Sequence, residues 1–516
     1  MKNIVGIDLG TTYSAISRLN ELGKPEIAPF ENGERLIASC IYFGNDKTLI
    51  GKLARNQSNI DASRYVELVK RYMGEEYFLD ERGEPRKILD KNWRPSELAG
   101  IILKKIKEDY EMQYGRIDGA IITVPAYFDE TRRQATMDAA KYAGIKVTGI
   151  INEPTAAGLY YSTNKNLTGK LVVFDLGGGT FDVTTLNSVD KGGKKDVTII
   201  TSQGDHKLGG KDFDKEIVKD INKKFKEKYG KEFTDTQEKY NFLMNRAEEI
   251  KKQLSDLNEV KEDLPADQEI FKYTITRDEF EKLISPYFSK IEMLVENVMD
   301  DSKLKFSDID HIILVGGSSR IPLVSETLKR MFKKDPTRVG NLDESVSLGA
   351  AIYCGIQTME DEGRGVFSQE ARENLDNINM SDVTNHSFGT FILEFDQDVN
   401  QNVEVNDIII PKDTKLPAEV TKTYYTVSDN QTAIEITITQ GEFRDRKKVS
   451  ILKETTMNLP SGRRRGQPVE VTYAYDKNGM MKCTFFDVKS GRRESVDLSV
   501  SGKNENKYDF DDVVNF

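Results

Sequence analysis

Leu171-Val-Val-Phe-Asp-Leu-Gly-Gly-Gly-Thr-Phe-Asp182 and Ile4-Val-Gly-Ile-Asp-Leu-Gly-Thr-Thr-Tyr-Ser14 are two versions of one device, and the repetition decides the fold. Each opens with an apolar, β-branched run that reads as a strand buried on both faces. Each then sets an aspartate, Asp8 or Asp175, near the strand end and follows it with residues that permit a tight hairpin. Without side chains, Gly177, Gly178 and Gly179 let backbone N–H groups approach an anion closely. Gly10, Thr11, Thr12 and Tyr13 occupy the equivalent turn of the first copy, and Thr11, Thr12 and Thr180 add hydroxyl donors. One such hairpin is an ordinary turn. Two, a small domain apart, predict a pair of lobes clamping a metal-bound polyphosphate, and so a chain that binds and cleaves ATP.

Outward from these hairpins, residues 1 to about 360 alternate short strands with amphipathic helices, an α/β architecture. Ala120-Ile-Ile-Thr-Val124 reads as a strand, Asp129-Glu130 opens a helix reaching about Tyr142, and Gly144 ends it. Ile312-Ile-Leu-Val315 with Gly316-Gly317-Ser318-Ser319 repeats the strand–turn–helix theme. Residues 215 to 300 read mainly as helices, an inserted helical subdomain. From Met359 to Asp382 apolar content falls, which reads as a helix tail and a linker. Beyond Phe388 the period changes to two, in Ala433–Thr439, Val469–Tyr475 and Ser495–Val500, with turns at Asn478-Gly479 and Ser490-Gly491. The expected division is an ATPase domain over 1–365, a linker over 366–385, an all-β sandwich over 386–502 and a short acidic tail over 503–516.

The bulk numbers narrow the class. The 516 residues are 38% hydrophobic and 31% charged, an ordinary globular composition, and suffice for several cores. A formal net charge of −11 argues against a general nucleic-acid binder. Cys40, Cys354 and Cys483 make no pair-spacing motif, which fits a reducing compartment, and the 3 histidines offer no zinc set. A strand starting at Ile4 leaves no room for a leader, and no apolar run spans a membrane, so the expectation is a cytoplasmic protein.

The chemistry follows from the strand ends. No G-x-x-x-x-G-K-[ST] is present, so the phosphate site is not a P-loop. Asp8 and Asp175 are the candidates to hold Mg²⁺ through water. Asp182 is placed to orient or deprotonate a water, and Glu153, before Pro154 at a strand end, to enter the cleft. Gly316, Gly317, Ser318 and Arg320 fit a nucleoside-binding turn. Nothing local distinguishes Lys70 from other lysines. Glu248 and Lys251 read best as a solvated i,i+3 pair.

Longer runs now carry a resemblance: GIDLGTTYS, Val69-Lys-Arg71, ITVPAYFDETRRQAT, INEPTAAGLYY, FDLGGGTFDVT, GDHKLGGKDFD, ILVGGSSRIP and Asp343-Glu344-Ser-Val-Ser-Leu-Gly-Ala-Ala351. With Asp429-Asn-Gln-Thr-Ala433 and Gln440-Gly-Glu442 they make the chain resemble seventy-kilodalton heat-shock chaperones of the DnaK type over residues 2 to about 501. That resemblance implies an actin-like ATPase with two ribonuclease H-like halves, joined to a sandwich that holds extended apolar peptides. It implies ATP/ADP and Mg²⁺, with K⁺ as a further candidate. It assigns Lys70 and Glu153 to hydrolysis, and Asp8, Asp175, Thr180 and Asp182 to metal, phosphates and water. It moves Glu248, Lys251 and Ser255 to adenosine contacts with Gly316, Gly317, Ser318, Arg320 and Asp343. By alignment, Leu393, Val427, Ile434 and Ile436 should line the peptide groove.

The partners implied are unfolded segments and a nucleotide exchange factor, for a monomer without nucleic acid or membrane. Three departures qualify this. The chain ends where such chaperones begin a long helical lid, so fast peptide exchange is expected. The linker Asn377-Ile-Asn-Met-Ser-Asp-Val-Thr-Asn385 lacks the family's leucine run and proline, and its asparagines disfavour adding a strand to a sheet edge. Gly149 stands where an arginine often precedes Ile-Ile-Asn-Glu, which puts a J-domain partner in question. The terminal Val513-Val-Asn-Phe516 is read as a frayed end, with a visit to the groove as the sharper alternative. A small-molecule kinase and a nucleotide-binding scaffold are the rival classes.

Overall fold

The computed structural model describes residues 2–80, 82–266, 269–337, 341–397, 400–477 and 479–498. The acidic tail and its terminal Val513–Phe516 lie outside the described residues, as does Asn478 of the expected turn.

The two hairpins each begin a sheet. In the first, β1 (Ile4–Asp8) turns into β2 (Tyr13–Leu19) and then β3 (Pro25–Ile27), while β4 (Gly119–Val124) and β5 (Val147–Asn152) complete the order β5-β4-β1-β2-β3. In the second, β6 (Gly169–Leu176) turns into β7 (Phe181–Asp190) and β8 (Lys195–Asp205), with β9 (His311–Val315) on the other side of β6. β1 runs parallel to β4 and antiparallel to β2; β6 runs parallel to β9 and antiparallel to β7. The same topology occurs twice, as an actin-like pair of lobes requires. The first lobe closes on Val5, Ile7, Ile16, Ile122 and the helix Pro95–Tyr114; the second on Phe174, Phe181, Val183 and the helices Gly210–Tyr229 and Arg277–Ser302.

Helices Glu153–Asn164 and Ser345–Glu362 cross between the sheets and form a third core with Ile4, Leu171, Val173 and Ile313. The crossing is close because Gly349 lacks a side chain: a Cβ there would sit 1.8 Å from the carbonyl oxygen of Ala156. Backbone cannot yield as a side chain does. We expect Gly349→Val to destabilise the first domain by about 3 kcal/mol or more, read as a lowered urea midpoint; an unchanged midpoint would contradict this packing.

Asp129 caps the helix Glu130–Tyr142 by accepting from the Arg132 N–H, as its sequence suggested. The region 215 to 300 is not only helical. Glu259–Ala266 and Glu269–Thr276 form an antiparallel hairpin, and their alternating buried Val260, Leu264, Phe271, Tyr273 and Ile275 explain it.

The segment expected to be linker divides in two. Gln369–Asp376 is a helix whose Ala371 and Leu375 are buried in the first domain's core. Ile378–Ser381 is β10, added parallel to β8 at the sheet edge. The strand forms although asparagines favour such addition less. Period two puts Ile378 and Met380 half-buried on the core while Asn379 points outward and donates to Asp196 Oδ1 at 3.2 Å. The ladder itself needs only backbone groups.

The sandwich has two sheets. β11 (Phe388–Asp396), β12 (Gln401–Ile410), β14 (Ala433–Gln440) and β15 (Ser450–Asn458) form one in the order β12-β11-β14-β15. The other is β13 (Ala418–Tyr425), β16 (Pro468–Tyr475), β17 (Met481–Asp487) and β18 (Arg492–Asp497), in that order. β11 and β14 pair only at Phe388–Gln440, Gly389–Thr439 and Thr390–Ile438. Beyond Thr390 each continues with its outer neighbour alone, so the sheet splits along its middle.

Candidate functional site

The ends of β1 and β6 face one cleft between the lobes, a cavity of about 780 Å³. Asp8, Gly10, Thr11, Thr12, Tyr13, Lys70, Glu153, Asp175, Gly177, Gly178, Thr180, Glu248, Lys251, Ser255, Gly316, Gly317, Ser318, Arg320 and Asp343 all line it. Residues far apart in the chain thus share one wall. The remaining two stand behind it. Gly179 backs onto Thr11, where a Cβ would come within 2.3 Å of the threonine side chain. Asp182 is in register with Asp175 across the hairpin, and its carboxylate accepts from the Tyr127 N–H at 3.3 Å. A Cβ on Gly178 would lie 2.0 Å from Thr12 Oγ1, so the glycines let the hairpins nest against each other.

The floor is rich in buried carboxylates. Lys70 and Glu153, each 6% exposed, form an ion pair. Asp8 Oδ1 accepts from Thr123 Oγ1 at 3.1 Å. Burial, reinforced by the Glu153 charge, pushes Asp8 up to about 7 and Asp182 up to about 8. Asp175 is raised well above the carboxylate range by burial and by Glu153 and Asp182. Burial works against a charged Lys70, but Glu153 and Asp8 outweigh it and hold the ammonium above its ordinary value. One cation for several carboxylates leaves a deficit that a hard divalent ion would fill. Among the described residues no three or more His, Cys, Asp or Glu side chains gather tightly enough to cage a bare ion. The pair Asp8 and Asp175 suits an ion that keeps most of its water shell.

The upper cleft corrects the solvated-pair reading of Glu248 and Lys251. Glu248 Oε2 accepts from Lys211 Nζ at 3.0 Å, and Arg55 Nη1 reaches Glu248 Oε1 at 3.4 Å across the lobes. Lys251 instead pairs with Asp214 at 2.7 Å and donates to the Gly210 carbonyl at 3.0 Å. Burial opposes the Glu248 charge, yet Lys211, Arg55, Lys251 and Lys252 hold its carboxyl far below the usual range. Tyr13 receives a hydrogen bond from Arg55 at 2.8 Å. Arg320 pairs with Asp343 at 2.9 Å. Arg55, Lys211, Asp214 and Lys252 escaped the sequence reading. Lys211 and Asp214 sit in the quoted run GDHKLGGKDFD, but nothing local says which of its charges turns inward. Arg71 is a further tie, donating to the Gly179 carbonyl at 3.0 Å and to Asp212 Oδ1 at 3.0 Å.

The four groove candidates separate. Leu393 and Val427 are 52% and 56% exposed, their neighbours Phe395 and Tyr425 are exposed too, and Leu393 and Phe395 lie on β11 beyond its split from β14. Ile434 is half-buried, while Ile436, at 2%, belongs to the sandwich core in this conformation rather than to a surface.

The sandwich rests on the two-lobed domain. Glu130 N–H donates to Gln440 Oε1 at 3.1 Å, Tyr475 OH donates to Glu130 Oε2 at 3.3 Å, and Tyr353 OH donates to the Lys477 carbonyl at 2.7 Å. Lys477 pairs with Glu360 at 2.6 Å and Asp361 at 3.0 Å, and Lys412 with Asp301 at 2.8 Å. Asn152, the neighbour of Glu153, donates to Asp382 Oδ2 at 3.3 Å, immediately after β10, and accepts from Arg133 at 2.5 Å.

Comparison with known proteins agrees with this geometry. The family described as "Hsp70 protein" matches residues 4–515. A relative named "Chaperone protein dnaK", from Cyanidium caldarium, is 35% identical over 528 residues, spanning 97% of this chain and 80% of that protein.

Proposed function

The chain belongs to the Hsp70 family, and we propose that its cleft and split sandwich work as one ATP-driven clamp on extended apolar segments. It is an ATP-dependent chaperone and an ATPase, using ATP and ADP with Mg²⁺. Family membership does not favour a small-molecule kinase. The observation that carries the clamp reading is a run of contacts from Lys70–Glu153 through Asn152–Asp382, beside β10, to Leu416, whose N–H donates to the Asp382 carbonyl at 2.8 Å.

We assign Asp8 and Asp175 to the Mg²⁺ that accompanies the nucleotide, whose charge would spread that of the phosphates. The turn amides at Gly10 to Tyr13 and Gly177 to Gly179, with the Thr180 hydroxyl, donate to phosphate oxygens. Lys70 donates to oxygens where negative charge builds during transfer to water. Glu153 holds that ammonium in place, and Asp182, which a bound Mg²⁺ would keep ionised against its buried carboxylate neighbours, takes the water's proton. Glu248, Lys251 and Ser255 with Gly316, Gly317, Ser318, Arg320 and Asp343 receive the adenosine. K⁺ beside the same carboxylates belongs to this proposal, tested by exchanging it for Na⁺.

The docked arrangement holds the sandwich with β11 and β14 apart, a form suited to releasing peptide. Undocking lets them approach around Leu393, Val427 and Ile434. A ligand shifts such an equilibrium only through unequal affinity for its two states. A monomer in a reducing, cytoplasmic setting, served by an exchange factor, completes the proposal. Gly149 removes one arginine that a J-domain partner would be expected to use. Among the described residues no helix is long and apolar enough to cross a membrane. Steady-state turnover without any sugar, raised by an apolar peptide, is the expected result; no turnover at all would sink the reading.

Docking should respond to pH through Glu130. Burial raises it to about 7 despite Arg133 and the Tyr475 hydroxyl, against an ordinary 4.5. Its contribution to docking is therefore complete below about 4.5 and lost as pH rises through 7. His386 acts oppositely, since burial depresses it from 6.5 to about 4, but it is already neutral above 6.5. Asp382, raised from 3.8 to about 6 by burial, acts in the same direction at lower pH, so at the docking contact the change between pH 6.5 and 8 comes mainly from Glu130. Protease cleavage within 377–385 should rise over that window and flatten in Glu130→Gln; a fall with pH would contradict the assignment.

A further inference from the structure

The loop joining β15 to β16 carries Arg463-Arg464-Arg465, and it is stitched to the loop that presents Val427. Asn430 N–H donates to the Arg463 carbonyl at 2.7 Å, Arg465 N–H to Asp429 Oδ1 at 2.8 Å, and Gly466 N–H to the Thr426 carbonyl at 2.8 Å. Asn430 Oδ1 also accepts from the Gly462 N–H at 2.6 Å. The three arginines do different things. Arg463 turns inward and pairs with buried Asp487 at 2.9 Å, anchoring the loop to the hairpin between β17 and β18. Arg464 and Arg465 stay exposed.

That hairpin adds exposed Lys489, Arg492 and Arg493, and Arg492 donates to the Asn458 carbonyl at 3.1 Å. Asn458 is the register partner of Ala433, next to Ile434. A cluster of cations thus rims the end of the groove marked by Val427 and Ile434. Among the described residues no carboxylate pairs with the side chains of Arg464, Arg465, Lys489, Arg492 or Arg493. Asp429 Oδ1 is occupied by the Arg465 N–H, and Asp487 is taken by Arg463. At the opposite edge Arg444 pairs with Glu394 and Arg446 with Glu404.

We propose that this rim selects apolar segments flanked by aspartate or glutamate, so that the clients of this sandwich carry acidic ends. The inference rests on the peptide-clamp reading and names its substrate class. The chain's net charge of −11 does not forbid it. At physiological salt, charges more than about 8 Å away are largely screened, and the rim cations are the ones a bound flank meets. An exposed pair contributes weakly, so two of them should give a preference of about three- to tenfold.

The test measures affinity of the full chain with ADP for three fluorescent peptides sharing one apolar core, with acidic, neutral or basic flanks. The expected order is acidic tightest and basic weakest. The spread should shrink at 0.5 M salt, reverse in Arg464→Glu/Arg465→Glu and survive in Arg464→Lys/Arg465→Lys. Equal affinities, or tighter binding of the basic peptide, would overturn the inference while leaving the clamp intact. Failure of all three peptides to bind would remove the clamp reading and the inference with it.

Discussion

Replacing Lys70 by alanine lowers ATP turnover by about 10²–10³-fold, the usual loss when one charge-stabilising donor is removed from a preorganised site. Nucleotide affinity changes far less, because the turns at Gly10–Tyr13 and Gly177–Gly179 and the Glu248–Lys251 wall remain. The ammonium is buried and its neighbours are Glu153, Asp8 and Asp175, so no surface lysine can take its place. The same change strands the buried Glu153 without its cation. Lys70→Arg separates charge from fit: it keeps a cation, but a planar fork cannot occupy the volume of an ammonium. Turnover should therefore stay low in both variants. Single-turnover hydrolysis alongside equilibrium nucleotide binding reads the two effects apart. Equal losses in binding and in turnover would make Lys70 a binding group only.

The double change Ile378→Asp/Met380→Asp abolishes the effect of ATP on peptide affinity. Both side chains are half-buried on the core when β10 is docked and would meet water when it is not. An uncompensated polar group costs about 1–3 kcal/mol to bury. Taking the lower end for each half-buried site still shifts docking by about 30-fold or more against the closed arrangement. The penalty falls on the docked state alone. Basal ATP turnover and peptide affinity in ADP should survive, while peptide affinity in ATP should rise to the ADP value. Asn379→Ala, which loses only a hydrogen bond to Asp196, is the matched control and should leave the switch in place. Retention of the ATP effect in the double variant would show that β10 does not carry it.

The duplicated hairpins made the two-lobed α/β fold legible, because strand, carboxylate and turn lie within a dozen residues of each other. Their chemistry needs no partner from elsewhere to be recognised. Lys70 was not legible from its surroundings: what distinguishes it is Glu153, which only the fold brings near. The same holds for Glu248, whose spacing to Lys251 suggested a surface pair while its actual partners are Lys211 and Arg55. Charge pairing across lobes leaves no trace in local spacing. The strand within the linker was missed for another reason. Propensity weighed the asparagines, but the period-two placement of Ile378 and Met380 was the stronger signal. Ile436, assigned to the groove by alignment, is buried in the core of the split sheet in this docked arrangement.

Nucleotide control of the sandwich is most directly tested by the dissociation rate of a fluorescent apolar peptide from the full chain, with Mg²⁺-ATP or Mg²⁺-ADP. Docking through β10, Glu130 and Lys477 predicts that ATP speeds dissociation by about tenfold or more, within the range of coupling between two sites. The same rate in both nucleotides, from protein that hydrolyses ATP, would contradict a clamp in which the cleft and the groove communicate.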